Sequence, residues 1–150
     1  MKKKICLFGI GIIGLTLLSG CNKGYTEGVY TGTAIDNYGG QSNTATAIVT
    51  VDSKGKITNV NLDTTYTKDG VDTTKKTLGS DYGMYGHPYG SKIGEWYEHV
   101  EALENNVVEN QGLDGIELNS DGYTDTVSGC TIKIDALYEA LKNALEQAKK

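Results

Sequence analysis

Thr44-Ala45-Thr46-Ala47-Ile48-Val49-Thr50-Val51, the turn Asp52-Ser53-Lys54-Gly55-Lys56 and the run from Ile57 to Thr65 together decide the fold. In the first run Thr alternates with Ala, Ile or Val, and in the second Val60 and Leu62 mark an inward side. That is the two-residue period of strands with one buried face. Upstream, Gly28 to Ala34 has the β-branched and aromatic content of a third strand, and Asp36-Asn37-Tyr38-Gly39-Gly40 supplies the break after it. Strands joined in sequence by short polar turns form an antiparallel meander with one solvated side.

Downstream the periodicity changes. Thr67 to Thr77 is polar without an apolar period and reads as a surface loop, with the Lys75-Lys76 pair as solvated charge. Asp81 to Gly90 is rich in both Gly and aromatic residues, the composition of a loop that covers something. Ile93, Trp96, Val100, Leu103 and Val107 recur at spacings of three and four, which predicts a helix ended by Gly112 and Asp114-Gly115. Gly115-Ile116-Glu117-Leu118 is a candidate short strand. A last helix spans about Ile134 to Ala148, with Leu137, Leu141, Ala144 and Leu145 on one stripe. The expected class is α+β, a small antiparallel sheet covered by two helices, with no internal repeat.

The N-terminus carries an address. Lys2, Lys3 and Lys4 precede an apolar run from Ile5 to Leu18, too short to span a membrane comfortably, and Leu18-Ser19-Gly20-Cys21 follows. This is the pattern of a secretory signal, and the Cys after Leu-Ser-Gly makes it a lipoprotein signal, with lipidation at Cys21 and removal of residues 1–20. Two or more acyl chains anchor stably, and residues 21–27 form only a short tether, so the domain, residues 28–150, sits close to the lipid surface on the outer face of the membrane.

The remaining 130 residues fit one domain, and their net charge falls from −5 to −8 when Lys2, Lys3 and Lys4 leave. With no Arg and this charge the chain is a poor nucleic-acid binder. Cys6 leaves with the signal and Cys21 is the lipid acceptor, so Cys130 has no intramolecular partner. His87 and His99 have no Cys or carboxylate cluster at metal-ligand spacing and read as surface or packing residues. After the signal segment, whose apolar run holds the spacing Gly9-x-Gly11-x-x-Gly14, no Gly-x-Ser-x-Gly turn and no phosphate loop of the GxGxxG or Walker kind is present, which argues against a hydrolase or a nucleotide-driven enzyme.

The stretch richest in chemistry is Asp125-Thr126-Val127-Ser128-Gly129-Cys130-Thr131, just before the last helix. By itself it is compatible with a turn followed by a hydroxyl that caps a helix. It also resembles the attachment motif of the FMN-binding domains, an Asp, two variable residues, Ser or Thr, Gly, usually Ala, and an acceptor Thr or Ser. In this resemblance Thr131 takes the acceptor position, esterified to the FMN phosphate by a separate FAD-dependent flavin transferase. Asp125, Ser128 and Gly129 take the other fixed positions, and Cys130 replaces the usual Ala. Gly28-Val29-Tyr30-Thr31-Gly32, Leu78-Gly79-Ser80-Asp81-Tyr82-Gly83-Met84, Glu95-Trp96-Tyr97 and Val100-Glu101-Ala102-Leu103-Glu104 extend the resemblance to flavin lipoproteins of Gram-positive extracellular electron transfer. Those relatives often carry two such domains, and His87-Pro88-Tyr89 lengthens a loop here.

The resemblance implies an electron carrier rather than an enzyme, fed by a membrane quinol-linked donor and discharging to ferric iron or another extracellular acceptor. A phosphate-tethered flavin needs an apolar or aromatic surface, for which Trp96, Tyr82 and Met84 are the candidates; each is also readable as core, Trp96 more so because it lies on the apolar stripe of its helix. The phosphate would be received by the unpaired amides at the start of the last helix. The rival reading is a flavin-free surface lipoprotein that binds a ligand or protein through Tyr82 to Tyr89. In some relatives the released signal segment is a peptide pheromone, a role compatible with either reading.

Overall fold

The computed structural model describes residues 24–150; the signal segment 1–20, Cys21 and the first residues of the tether lie outside the described residues. Four antiparallel strands, β1 (Gly28–Tyr38), β2 (Gln41–Val51), β3 (Ile57–Lys68) and β4 (Val71–Thr74), pair in sequence order. A one-turn helix α1 (Lys75–Leu78) and a 3-10 turn (Gly79–Tyr82) follow, then α2 (Trp96–Asn110) and α3 (Asp135–Ala148). The expected α+β meander is therefore present, with α1 added to the two long helices.

The alternation in β2 buries Ala45, Ala47, Val49 and Val51, and register places them beside Ala34, Gly32, Tyr30 and Gly28 of β1. On the other side Ala45, Ala47 and Val49 meet Thr64, Leu62 and Val60 of β3. A bulge at Thr50/Val51 brings Ile57 inward at the end of the ladder. α3 lies over β1 and β2 with Leu137, Ala140, Leu141, Ala144 and Leu145 buried, while α2 packs beside β3 through Val100, Leu103 and Val107. Each large aliphatic side chain so buried contributes about 1.5–3 kcal/mol.

β4 pairs only with Thr65–Lys68, so the first half of β3 is a sheet edge. Side chains from α2 close it. Glu104 Oε1 accepts from Leu62 N at 2.6 Å, and the Gln111 amide accepts from Ile57 N and donates to Ile57 O, both at 2.9 Å. These contacts occupy backbone groups that would otherwise invite another strand.

Four expectations are corrected. The segment 67–77 is not a loop. Asp69-Gly70, at φ 53° and 79°, makes a two-residue turn into β4, and Asp-Gly is the dipeptide such hairpins favour. β1 likewise runs on to Tyr38 and turns at Gly39-Gly40, at φ 64° and 77°. α2 begins at Trp96 and leaves Ile93 62% exposed, because Ser91 Oγ takes the amides of Ile93 and Gly94 and the Glu98 carboxylate takes that of Glu95. Residues 115–118 form no strand: Ile116 is buried and Glu117 N donates to Thr126 Oγ1, a side chain rather than a ladder.

Candidate functional site

The motif sits on an anchored turn. Val127, Cys130, Ile132 and Ile134 are buried, which leaves Asp125, Ser128, Gly129, Thr131 and Lys133 facing outward. Cys130 N donates to Val127 O at 3.1 Å with Gly129 at φ 84°, the positive value a type II turn needs at its third residue. His99, 1% exposed, holds the turn from behind, with Nδ1 2.8 Å from Gly129 O and 3.2 Å from Thr131 N, and Nε2 2.7 Å from Ser91 Oγ. Its role is packing and hydrogen bonding. Among the described residues the side chains of Asp125, Ser128 and Thr131 make no hydrogen bond, so the fold does not consume them.

Thr131 does not stand at a helix start, as the sequence led one to expect. The chain is not helical from Cys130 to Ile134, whose amide donates to Gly122 O at 2.8 Å, and α3 begins only at Asp135. The first amides of α3 are thus separated from Thr131 by three intervening residues. Positive charge near Thr131 comes instead from lysines.

A cavity of about 330 Å³ opens at the end of the sheet where β1 turns into β2, within the usual size of small-molecule sites. Thr131 and Lys133 form one side, Asp36, Tyr38 and Lys75 the floor, and Tyr82, Met84 and Trp96 another wall. Tyr89, Gly90, Ser91 and Lys92 complete the rim. The residues named from sequence as attachment point and as ring contacts therefore border one space. Trp96 is both core and wall, being 4% exposed, and Tyr82 meets it edge-on at 6.5 Å and Tyr66 at 5.2 Å. Glu95 fixes the loop above, its carboxylate accepting from the amides of Met84 and Tyr85 at 3.0 and 3.1 Å.

Lys75 is the main surprise. Read from sequence as a solvated charge, it is 4% exposed, 3.1 Å from Asp36, with the rings of Trp96, Tyr38 and Tyr82 at 5.3, 5.5 and 5.7 Å. Tyr38, Lys92 and Lys133 were also missed. For Tyr38 a signal existed, because the inward alternation Tyr30, Gly32, Ala34, Asp36 continues to it.

Two groups here are shifted. Burial, with Tyr66, Tyr38 and Asp36 adding to it, pushes the Tyr82 phenol above the ordinary tyrosine range, so it remains a neutral donor. Burial also pushes the Cys130 thiol up to about 11, outweighing the Ile132 amide hydrogen bond that lowers it. At pH 8 this leaves about a hundredfold less thiolate than in an exposed cysteine. Iodoacetamide is therefore expected to leave the folded protein unmodified and to label Cys130 after denaturation, read by intact mass; rapid native labelling would show the turn opens. Because the fold keeps this proton to higher pH than the unfolded chain, its contribution to stability is whole below pH 9 and declines towards 11.

A second cavity, about 510 Å³, lies at the opposite end by Gly24, Tyr25 and Lys149 and contains no motif residue. Tyr25 pairs with Lys149 there, and Thr26 N donates to Ala148 O at 2.7 Å.

A meander under helices with this turn at the mouth of an aromatic cavity defines a flavin-binding class of domain. The family model of the FMN-binding domain matches residues 39–146, and the chain belongs to that family. It is similar to a protein from Clostridium thermocellum whose solution NMR structure shares 35% identity at a TM-score of 0.54, covering 83% of this chain and 92% of that one. Among curated proteins no sequence matches.

FMN suits the residues present. The cavity joins aromatic walls for a ring system to Lys92 and Lys133 for a phosphate, in a chain of net charge −5.

Proposed function

We propose that this protein is a lipid-anchored electron carrier whose FMN is joined through its phosphate to Thr131. The observation that carries the reading is the shared wall: an exposed hydroxyl, unused by the fold, borders a cavity of aromatic and cationic side chains. FMN supplies the redox chemistry when bound, and the chain supplies anchoring, orientation and charge. Tyr82, Met84 and Trp96 offer the ring its apolar surface, Lys92 and Lys133 face the phosphate, and the unengaged Asp125 and Ser128 remain open to the transferase. The Asp135 carboxylate, hydrogen-bonded to Lys133, holds that ammonium above the usual lysine range.

Topology supports the address. With Cys21 as the lipid acceptor, only three residues separate it in sequence from Tyr25, which lies at one end of the sheet, whereas the cavity lies at the other end of β1, an eleven-residue strand roughly 35 Å long. The cavity mouth then faces away from the lipid, towards extracellular acceptors, and electrons from a quinol-linked donor arrive through a partner or by tilting on the tether.

The test is the intact mass of the chain produced with an active flavin transferase and FAD. A gain equal to FMN less one water, with flavin absorbance surviving denaturation, is expected. A colourless product of unmodified mass that also binds no added FMN would replace the carrier by a flavin-free binding lipoprotein.

A further inference from the structure

Attachment at Thr131 makes no use of Lys75, yet Lys75 is 4% exposed and borders the same cavity. Lysines are almost never so buried unless paired, and a buried ion pair is weak evidence of stabilisation, since an apolar pair often serves the fold as well. Asp36, its partner at 3.1 Å, also lines the cavity, and three aromatic rings surround the ammonium within 6 Å. Besides the exposed Lys92 and Lys133, the site thus holds one buried positive charge on an aromatic floor, with one carboxylate opposing it.

We propose that Lys75 is the cation that meets the bound ring system, and that it makes the cavity hold reduced flavin more tightly than oxidised flavin. This rests on the flavin reading above. At neutral pH oxidised flavin takes up two electrons and one proton and so gains one negative charge on the polar edge of the ring. A fixed ammonium in a poorly solvated site stabilises that charge, whereas the Asp36 carboxylate opposes it. The two residues therefore act on the midpoint potential with opposite signs, which a purely structural role would not produce.

The experiment is an anaerobic titration of the full, detergent-solubilised, flavin-loaded chain with dithionite as electron donor and a reference dye, alongside K75M and D36N. K75M is expected to lower the potential and D36N to raise it, each by at least tenfold in the ratio of affinities for the two redox states, about 30 mV for a two-electron couple. Intact mass on the same samples reports loading. Loaded proteins whose potentials coincide, or move in the same direction, overturn the role of Lys75 and leave the flavin reading in place. A wild type with no flavin mass overturns both. If K75M does not fold, the isosteric D36N decides through the sign of its own shift.

Discussion

Thr131→Ala is expected to abolish covalent flavin completely while leaving the domain folded. The hydroxyl makes no hydrogen bond among the described residues, and the residue is exposed, so its loss leaves no buried group unpaired and changes stability by no more than about 0.5 kcal/mol. Attachment, by contrast, has no substitute for it. In the proposed transfer a P–O bond would form to Thr131 Oγ1 while the pyrophosphate of FAD breaks, so that FMN is transferred, AMP leaves and the hydroxyl proton is released. Ser128, three residues earlier on the same turn, is the nearest alternative hydroxyl in the motif and serves as the internal control. Mass spectrometry of T131A, T131S and S128A produced with transferase separates the cases. Unmodified T131A with modified T131S assigns the acceptor, whereas a flavinylated T131A would move the attachment elsewhere. Circular dichroism melts that coincide with wild type would show that the loss is chemical.

The meander was legible because β2 and β3 each bury one face, so the period of two is written in Ala45, Ala47, Val49, Val60 and Leu62. α3 was legible for the same reason at a period of 3.6. The segment from Val71 to Leu78 was not, because β4 is four residues long with no buried apolar side chain and α1 is a single turn whose buried residue is a lysine. Local pattern could not indicate that burial. What makes it tolerable comes from Asp36 and Tyr38, nearly forty residues earlier, and from Trp96, twenty-one later. The same distinction divides the site. Thr131 and its turn form a contiguous motif and could be named from seven residues, but the floor of the cavity is assembled by strand register and helix docking. Tyr82, Met84 and Trp96 are readable from composition as ring-contact candidates, and the structure puts them on the cavity wall.

The largest stability effect is expected at Gly32, far from any motif chemistry. A Cβ there would lie 2.1 Å from Ala140 O and 2.4 Å from Ala144 N, both backbone atoms of α3. Neither can rotate away, and Asn143 and Gln147 pin the helix by donating to Thr33 O and Thr31 O at 3.0 and 2.8 Å. Gly32→Ala must therefore shift the whole helix, at a cost of roughly 3 kcal/mol or more, and lower the melting temperature by roughly 10 °C. Gly39→Ala is the control. No atom lies within 4 Å of its Cβ, so only the positive φ of 64° opposes it, and the expected loss is about 1 kcal/mol. Equal losses at the two positions would mean that α3 can slide on β1 without penalty. The effect also bears on the site, because α3 follows directly on the segment that carries Thr131 and Lys133. A helix lifted from β1 moves one wall of the cavity relative to Lys75 and Asp36 on the floor. Flavin loading of G32A should consequently fall even at temperatures where the protein remains folded, and full loading there would show that the attachment turn is held by His99 and Val127 independently of the helix.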